Sequence, residues 1–568
     1  MILGALRTPT WFDHGIGLLL CLLQVGLLVL TSDQVGIPRD ESFYFAAADR
    51  AADWWLADHP VVQREGRLAE PAIRHGFEYN HEHPVGMKSL FGVSHRLLNQ
   101  KWGWVKDHML AYRLPTMALA GLATWLAFLL GLAVQGRAVG LFAALALMAM
   151  PRVFFHSHLA CFDAPVTFAW LAIAYSYLRA GRSRRWGVVA GLALGVGFTI
   201  KLNAFFVPFV LLIVAAIDAW QFKRRTGGWR APAGERGPLT YHAWTAASML
   251  VLGPAVFFAH WPWLWFETGK HLSFYLSFHA KHVHYPVDYL GTLYYRPPFP
   301  MHFPFVFTAF SVPVGLLVLG AVGLGVTLKR AWRAFTGAEP TDRHAADVFL
   351  LGNLLAPMVV IALPFTPIFG GTKHWMPAMP FLAVAAGVGA VHVGRALFAR
   401  WPARQALATA ALGVAMMLPA GWATLTYGAH GPSYYNALAG GPAGAADLRM
   451  ARDFWGYGSV AVLPYLDAHV EERGLTFWHD ATGWAVQRYQ QAGLLRPDIR
   501  VTGDWAIPFS DWAIYHDYRD KLPEELDIWR DYGTEWPVDG HFVDGVQTVG
   551  IYHRPAPRAA PPVPPGGR

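Results

Sequence analysis

Apolar residues along this chain gather into runs of span length. They lie near residues 14–32, 111–134, 138–151, 162–180, 187–199, 203–220, 242–261, 304–327, 346–364, 375–397 and 405–424. A membrane helix needs about 20 mainly apolar residues, so the pattern predicts about eleven spans. The third and fifth runs are short and read as tilted or broken helices. Three long, more polar stretches separate or follow the runs: 33–110, 262–304 and 425–568. In the first, "SFYFAAADRAADWWLAD" and "VGMKSLFGVSHRLL" are expected to be helices lying along the membrane interface. The second follows "HEHP", whose proline suits a helix start. The expected fold class is mainly α: a polytopic helical membrane domain over 1–424 with a large outer loop, 33–110. A small soluble α/β or α+β domain is expected over 425–555. Residues 556–568 form a Pro-rich tail expected to be disordered. No internal repeat is visible.

Composition supports this reading and charge orients it. Hydrophobic residues make up 54% of the 568 and charged residues 15%, against about 25% charged in soluble domains. Residues 425–568 hold 12 Lys+Arg and 18 Asp+Glu, which leaves 34 and 20 for residues 1–424. The basic excess therefore belongs to the membrane part. With the N-terminus in the cytoplasm, "QGR", "GRSRR", "QFKRRTGGWRAPAGERG", the 328–344 loop and "ARWPARQ" all lie inside. These loops collect nearly all the short-loop Lys and Arg, as the positive-inside rule expects. That placement fits cytoplasmic loops better than nucleic-acid binding. It expects a multi-pass protein of the inner (plasma) membrane with residues 425–568 in the periplasm. The first run could instead be a signal peptide, but "TSDQVGIPRDE" offers no small-residue cleavage site, so a retained helix is expected. Cys21 and Cys161 suit neither a disulfide framework nor a thiolate metal site.

Under this topology, polar groups from several turns meet at the outer boundary. Asp40 and Glu41 follow the first span, and "NHEHPVGMK" brings His83 and Lys88. Arg113 opens the second span. "MPRVFFHSHLACFDAP", read as the outer turn after the third span, brings Arg152 and Asp163. Lys201 lies in "GFTIKLNAF", His284 in "SFHAKHVHYP" and Lys373 in "FGGTKHWMP". A single Lys or Arg at a span end commonly snorkels to headgroups, and acids outside a span are commonly solvated. Pooled, the cations suit a phosphate or diphosphate at the membrane surface. An acid beside such a site could act as general base toward a hydroxyl. "HEH" and "HAKHVH" leave a divalent metal open, although zinc needs three or four converging ligands. No metal or other cofactor is required by the chemistry.

The order of these motifs resembles the GT-C superfamily of integral-membrane glycosyltransferases, in particular family 39 with its protein O-mannosyltransferase-like and aminoarabinose-transferase-like members. The matching features are an outward Asp-Glu pair, a His-Pro-x-x-x-Lys turn at His83–Lys88, and Arg-Leu-Pro at Arg113. "PR…H…DxP" and "G…KxN…P" follow, then "FHAKHVHYPVDYLG" and "YYNALAGGPAGAADLRMARDFWG". In the family the later turn reads His-Pro-Pro-Leu-Gly-Lys; here the second proline and the leucine are absent. The resemblance implies transfer of a sugar, with inversion, from a polyprenyl-phosphate carrier to a protein, lipid or glycan acceptor outside the membrane. It implies that Asp40 is the base or orients the acceptor, with Glu41 as its partner. Lys88 and Arg113, joined by Arg152 and Lys201, would contact the phosphate. His83, Asp163, His284 and Lys373 complete the expected substrate and lipid-phosphate site. Two rivals remain: a membrane transporter, and a non-catalytic sensor or scaffold with a carbohydrate-binding periplasmic domain. The charges cluster at one face rather than mid-span, which disfavours the transporter.

Overall fold

The computed structural model describes residues 6–230, 237–336, 344–471, 475–478 and 483–555. All eleven apolar runs are helical in it. Seven helices among the described residues are long and apolar enough to cross a membrane, or eight if the bent pair Arg137–Met148 and Pro151–His158 is one span. The chain is a multi-pass helical membrane protein. The helices Asp163–Ala180, Arg184–Ile200 and Ala346–Ala362 fall outside that count.

Burial separates the inner helices from the outer ones. The span Met376–Leu397 is 89% buried, whereas Pro402–Ser433 is 11% buried. Exposed Leu18, Leu19 and Leu22 on Trp11–Leu30, and Leu407 and Leu418 on Gln405–Tyr427, mark faces that meet hydrocarbon. Inner helices approach closely where side chains vanish. A Cβ on Gly323 would stand 1.8 Å from the Ala385 carbonyl oxygen, and one on Gly389 would stand 1.9 Å from that of Leu319. The Val314–Thr336 and Met379–Leu397 helices thus pack backbone to backbone, the small-residue mode of membrane helix association.

The stretch after the third run differs from its expectation. "PRVFFHSH" is not an open turn. It is a helix, Pro151–His158, in which every residue is buried, set at 67° to the preceding helix. Pro151 at its first position cannot continue the earlier helix but starts a new one without loss of a hydrogen bond.

The first outer loop contains helices Arg39–Leu56 and Gly86–Ser94, which pack on each other. Both carry broad buried faces, so they roof the bundle rather than float on its surface. Toward the C-terminus a five-stranded sheet forms in the order β4-β3-β5-β7-β6. Its strands are β3 (Leu475–Trp478), β4 (Arg500–Thr502), β5 (Trp512–His516), β6 (Asp539–Val543) and β7 (Val546–His553). β3 runs parallel to β4 and β5; β7 is antiparallel to β5 and β6. A hairpin of β1 (Val287–Tyr289) and β2 (Thr292–Tyr294) lies in the loop after the Pro238–His260 helix. The tail 556–568 lies outside the described residues.

Replacing Gly389 by Val should force these two helices apart and destabilise the fold by about 1–3 kcal/mol. Thermal unfolding in detergent checks it; an unchanged midpoint would contradict the backbone contact.

Candidate active site

The acid pair opens a helix. Pro38 is extended (φ −70°, ψ 159°), and Arg39–Leu56 begins directly after it, with Asp40 and Glu41 in its first turn. Carboxylates there complement the positive end of the helix dipole. Adjacent helical positions lie about 100° apart, so the two acids face different surroundings.

Glu41 points inward and is fully buried against Arg113, also fully buried. Arg113 Nε donates to Glu41 Oε1 (2.8 Å) and Nη2 to Oε2 (2.7 Å). Nη1 donates to the carbonyls of Ser32 (3.3 Å) and Val35 (2.8 Å), and Nη2 to that of Gly36 (2.9 Å). All five guanidinium protons are thereby engaged. The Ala160 N–H adds a bond to Glu41 Oε1 (2.7 Å). Arg113, expected at the phosphate, is instead bonded throughout to the loop and to Glu41. Glu41 has no face open to substrate.

Asp40 points the other way, with its side chain one-third exposed. Its Oδ2 is 3.8 Å from Lys373 Nζ. Lys373 is buried in an aromatic cage, with Nζ 3.9 Å from the ring centroid of Trp455 and 4.8 Å from those of Phe369 and Phe454. Burial pushes its ammonium down and the Asp40 carboxylate opposes that push. Trp455 takes its place at a cost: its φ is +80°, a left-handed backbone worth about 1–3 kcal/mol of strain for a bulky residue. Its carbonyl accepts the Arg39 N–H (2.9 Å), fixing the start of the acid helix. Across the same space, Lys201 Nζ binds Asp163 Oδ1 at 2.6 Å, and His156 Nδ1 stands 3.8 Å from Asp163 Oδ2.

Two cavities meet at Asp40. One, of about 1060 Å³, is lined by Asp163, Lys201, Lys373, His83, His279, His282 and His284. Its walls extend to Phe206, Leu363 and Phe365, all exposed apolar residues at the ends of membrane helices. The other, of about 880 Å³, lies under the β5–β7 region and is lined by Arg152, His156, Arg452, Asp453, Asp517 and Arg519. Arg39, Asp40, Tyr285, Phe369 and Trp455 line both.

The remaining expected residues divide between these places and the scaffold. Lys88 is buried and its ammonium donates to the carbonyls of Asn80 (2.6 Å) and His83 (2.8 Å) and to Asn80 Oδ1 (3.3 Å). Its three protons hold the 80–83 turn, and burial lowers its pKa to about 7. It lines neither cavity. His83 and His284 do line the larger one, and burial pushes the His83 imidazole down. Arg152 lines the smaller, stacked on Phe307 and Tyr435 with Nη2 on the Tyr434 carbonyl (3.1 Å). Two residues escaped the sequence reading: Arg39, next to Asp40 in "PRDE", and Asp453 in "RDFWG". Their placement depends on which face the first helical turn presents and on how the chain after the last span folds back.

For metals, one group of three potential ligands comes together among the described residues: Asp53, His59 and His75. Asp53 is already bonded to Arg96 (2.6 Å). The two rings stack, 3.8 Å apart and 18° from parallel, so their in-plane lone pairs do not converge on one ion. The "HEH" and "HAKHVH" histidines are not part of this group.

Residues 104–228, under a quarter of the chain, match the family described as dolichyl-phosphate-mannose-protein mannosyltransferase. No curated protein matches the chain. Among solved structures it is similar to ArnT from Cupriavidus metallidurans bound to undecaprenyl phosphate, with 13% identity, 94% of this chain and 98% of that one covered, and a TM-score of 0.47. It is also similar to the archaeal oligosaccharyltransferase AglB from Archaeoglobus fulgidus in complex with an inhibitory peptide and a dolichol-phosphate (10%, 93% and 72%, 0.48). The S. cerevisiae protein O-mannosyltransferase Pmt1-Pmt2 complex bound to the sugar donor matches at 16% identity, covering 48% of this chain and 35% of that one, with a TM-score of 0.33.

Truncating Arg113 to Ala would strand the Glu41 carboxylate in the interior. That should cost about 3–5 kcal/mol, whereas Asp40→Asn should leave stability within about 0.5 kcal/mol. Thermal unfolding of both variants checks the contrast; equal, small effects would contradict it.

Proposed function

We propose that the protein is a membrane glycosyltransferase that moves a sugar from a polyprenyl-phosphate carrier to an acceptor hydroxyl at the outer face of the membrane. The observation that carries this reading is the position of Asp40, at the junction of a cation-lined cavity with apolar outer walls and a polar cavity beneath the soluble sheet. The match of residues 104–228 to the mannosyltransferase family supports it.

In this reading the larger cavity holds the donor. The carrier's isoprenoid chain leaves past Phe206, Leu363 and Phe365, and its phosphate lies near Lys201 and Lys373. The acceptor enters the smaller cavity. Asp40 takes the proton from the acceptor hydroxyl as that oxygen attacks the anomeric carbon. The bond from that carbon to the phosphate oxygen breaks, and the lipid phosphate leaves with the electron pair. Attack opposite the leaving group inverts the anomeric centre. Lys373 and Lys201 stabilise the charge that develops on the phosphate, as fixed cations do in a water-poor site. Glu41 and Arg113 act at one remove, by fixing the turn that aims Asp40.

The loop charges support an outer, periplasmic site in an inner membrane: the basic short loops fall on the side opposite the acid pair. Residues 425–555 would then form the periplasmic cover of the acceptor cavity.

Asp40→Asn keeps the shape of the side chain but cannot take the proton. With the purified protein and undecaprenyl-phosphate sugars as donors, release of lipid phosphate should fall by about 10²-fold or more. Wild-type turnover that survives in Asp40→Asn would remove Asp40 as base, and no wild-type turnover with any donor would contradict the glycosyltransferase.

A further inference from the structure

The smaller cavity contains a carboxyl that nothing above uses. Asp453 is 4% exposed and lines this cavity. Its carboxylate meets the Tyr518 side chain, and its oxygens find no further hydrogen-bond partner among the described residues. A buried, incompletely satisfied carboxyl is costly, and burial raises its pKa to about 7 despite the hydrogen bond with the Tyr518 side chain and the charge of Arg452. Such a group is retained where a ligand completes it. The next two residues, Phe454 and Trp455, are the rings that cage Lys373 beside Asp40. One tripeptide therefore presents Asp453 to the cavity and Lys373 to the acid.

The other walls indicate what kind of molecule would satisfy it. Ion pairs Arg452–Asp517 and Arg519–Asp288 (3.1 Å) lie on the cavity surface. Such pairs offer donors and acceptors side by side, as adjacent hydroxyls require. Tyr285, Phe307, Tyr435 and Trp455 add flat apolar faces. A peptide that binds by adding a strand would need a free strand edge. The edge of β1 at this wall is already taken: the Ala451 N–H donates to the Asp288 carbonyl (3.1 Å) and the Gly291 N–H to that of Arg449 (3.5 Å).

We infer that the cavity beneath the sheet binds a saccharide acceptor, free or as the head of a glycolipid, and that Asp453 accepts hydrogen bonds from its hydroxyls. This rests on the glycosyltransferase reading for the word acceptor, but the binding itself does not require a donor.

The test is saturation-transfer NMR on the full-length protein in nanodiscs. The probes are a panel of methyl glycosides and an uncharged Ser/Thr tetrapeptide. A glycoside should bind the wild type, and Asp453→Leu should bind it at least about tenfold more weakly. Asp453→Asn should fall between them. Thermal unfolding of Asp453→Leu should match or exceed the wild type, because a buried, incompletely satisfied carboxyl is removed. Adding digalactosyl diacylglycerol to the nanodisc separates the sources: loss of the glycoside signal marks a lipid head, and its persistence marks a free saccharide. Binding unchanged by the substitutions, a lower melting midpoint in Asp453→Leu, preference for the peptide, or binding of neither probe would overturn the inference. Since no donor is present, any of these leaves the turnover test on Asp40 to stand or fall alone.

Discussion

The buried pair of Glu41 and Arg113 is the constraint on which the outer face of this protein depends. An isolated charge in that interior would cost several kcal/mol. The pair is tolerated because every guanidinium proton has an acceptor, three of them backbone carbonyls at Ser32, Val35 and Gly36. The ion pair is thus a clamp on the chain between the first span and the acid helix. It holds the Arg113 end of the second membrane helix, the 32–36 loop and the first turn of Arg39–Leu56 in one register.

The C-terminal region completes the clamp from the other side. The Ile37 N–H donates to the Tyr489 hydroxyl (2.7 Å), and the Arg39 N–H to the Trp455 carbonyl. Gly36 lies so close to the chain after the last span that a Cβ would come within 2.0 Å of the Tyr457 carbonyl oxygen. Residues distant in sequence thereby fix three of the four positions before Asp40. The exposure of Asp40 and the burial of Glu41 follow from this fixed turn. The difference in surroundings between the two adjacent acids is a matter of helix phase.

Much of this was legible in the sequence. Eleven apolar runs gave eleven helical regions, because apolar runs of span length have few other stable forms in a bilayer. The two expected helices of the first outer loop were also readable, the second from the proline just before it. The meeting of Asp40, Asp163, Lys201 and Lys373 around one cavity followed from placing their turns on one face. The roles of the other cations were not legible. Lys88 and Arg113 look like phosphate ligands by residue type and order, yet backbone carbonyls, Asn80 Oδ1 and the Glu41 carboxylate engage all their protons. Whether a cation faces a ligand or its own backbone depends on a few ångströms of loop geometry, and no pattern of residue types encodes that. The same limit hid Asp453, whose neighbours are set by how the sheet folds back over the membrane helices.

The central claim is that a lipid phosphate sits beside Asp40 in the larger cavity, with Lys201 and Lys373 and away from the scaffold cations. A cryo-electron microscopy map of the protein in nanodiscs with undecaprenyl phosphate tests it most directly. The account predicts phosphate density within hydrogen-bonding reach of Lys201 or Lys373, with the isoprenoid chain leaving past Phe206 and Phe365. Density on Lys88 or Arg113, or in the cavity beneath the sheet, would contradict it.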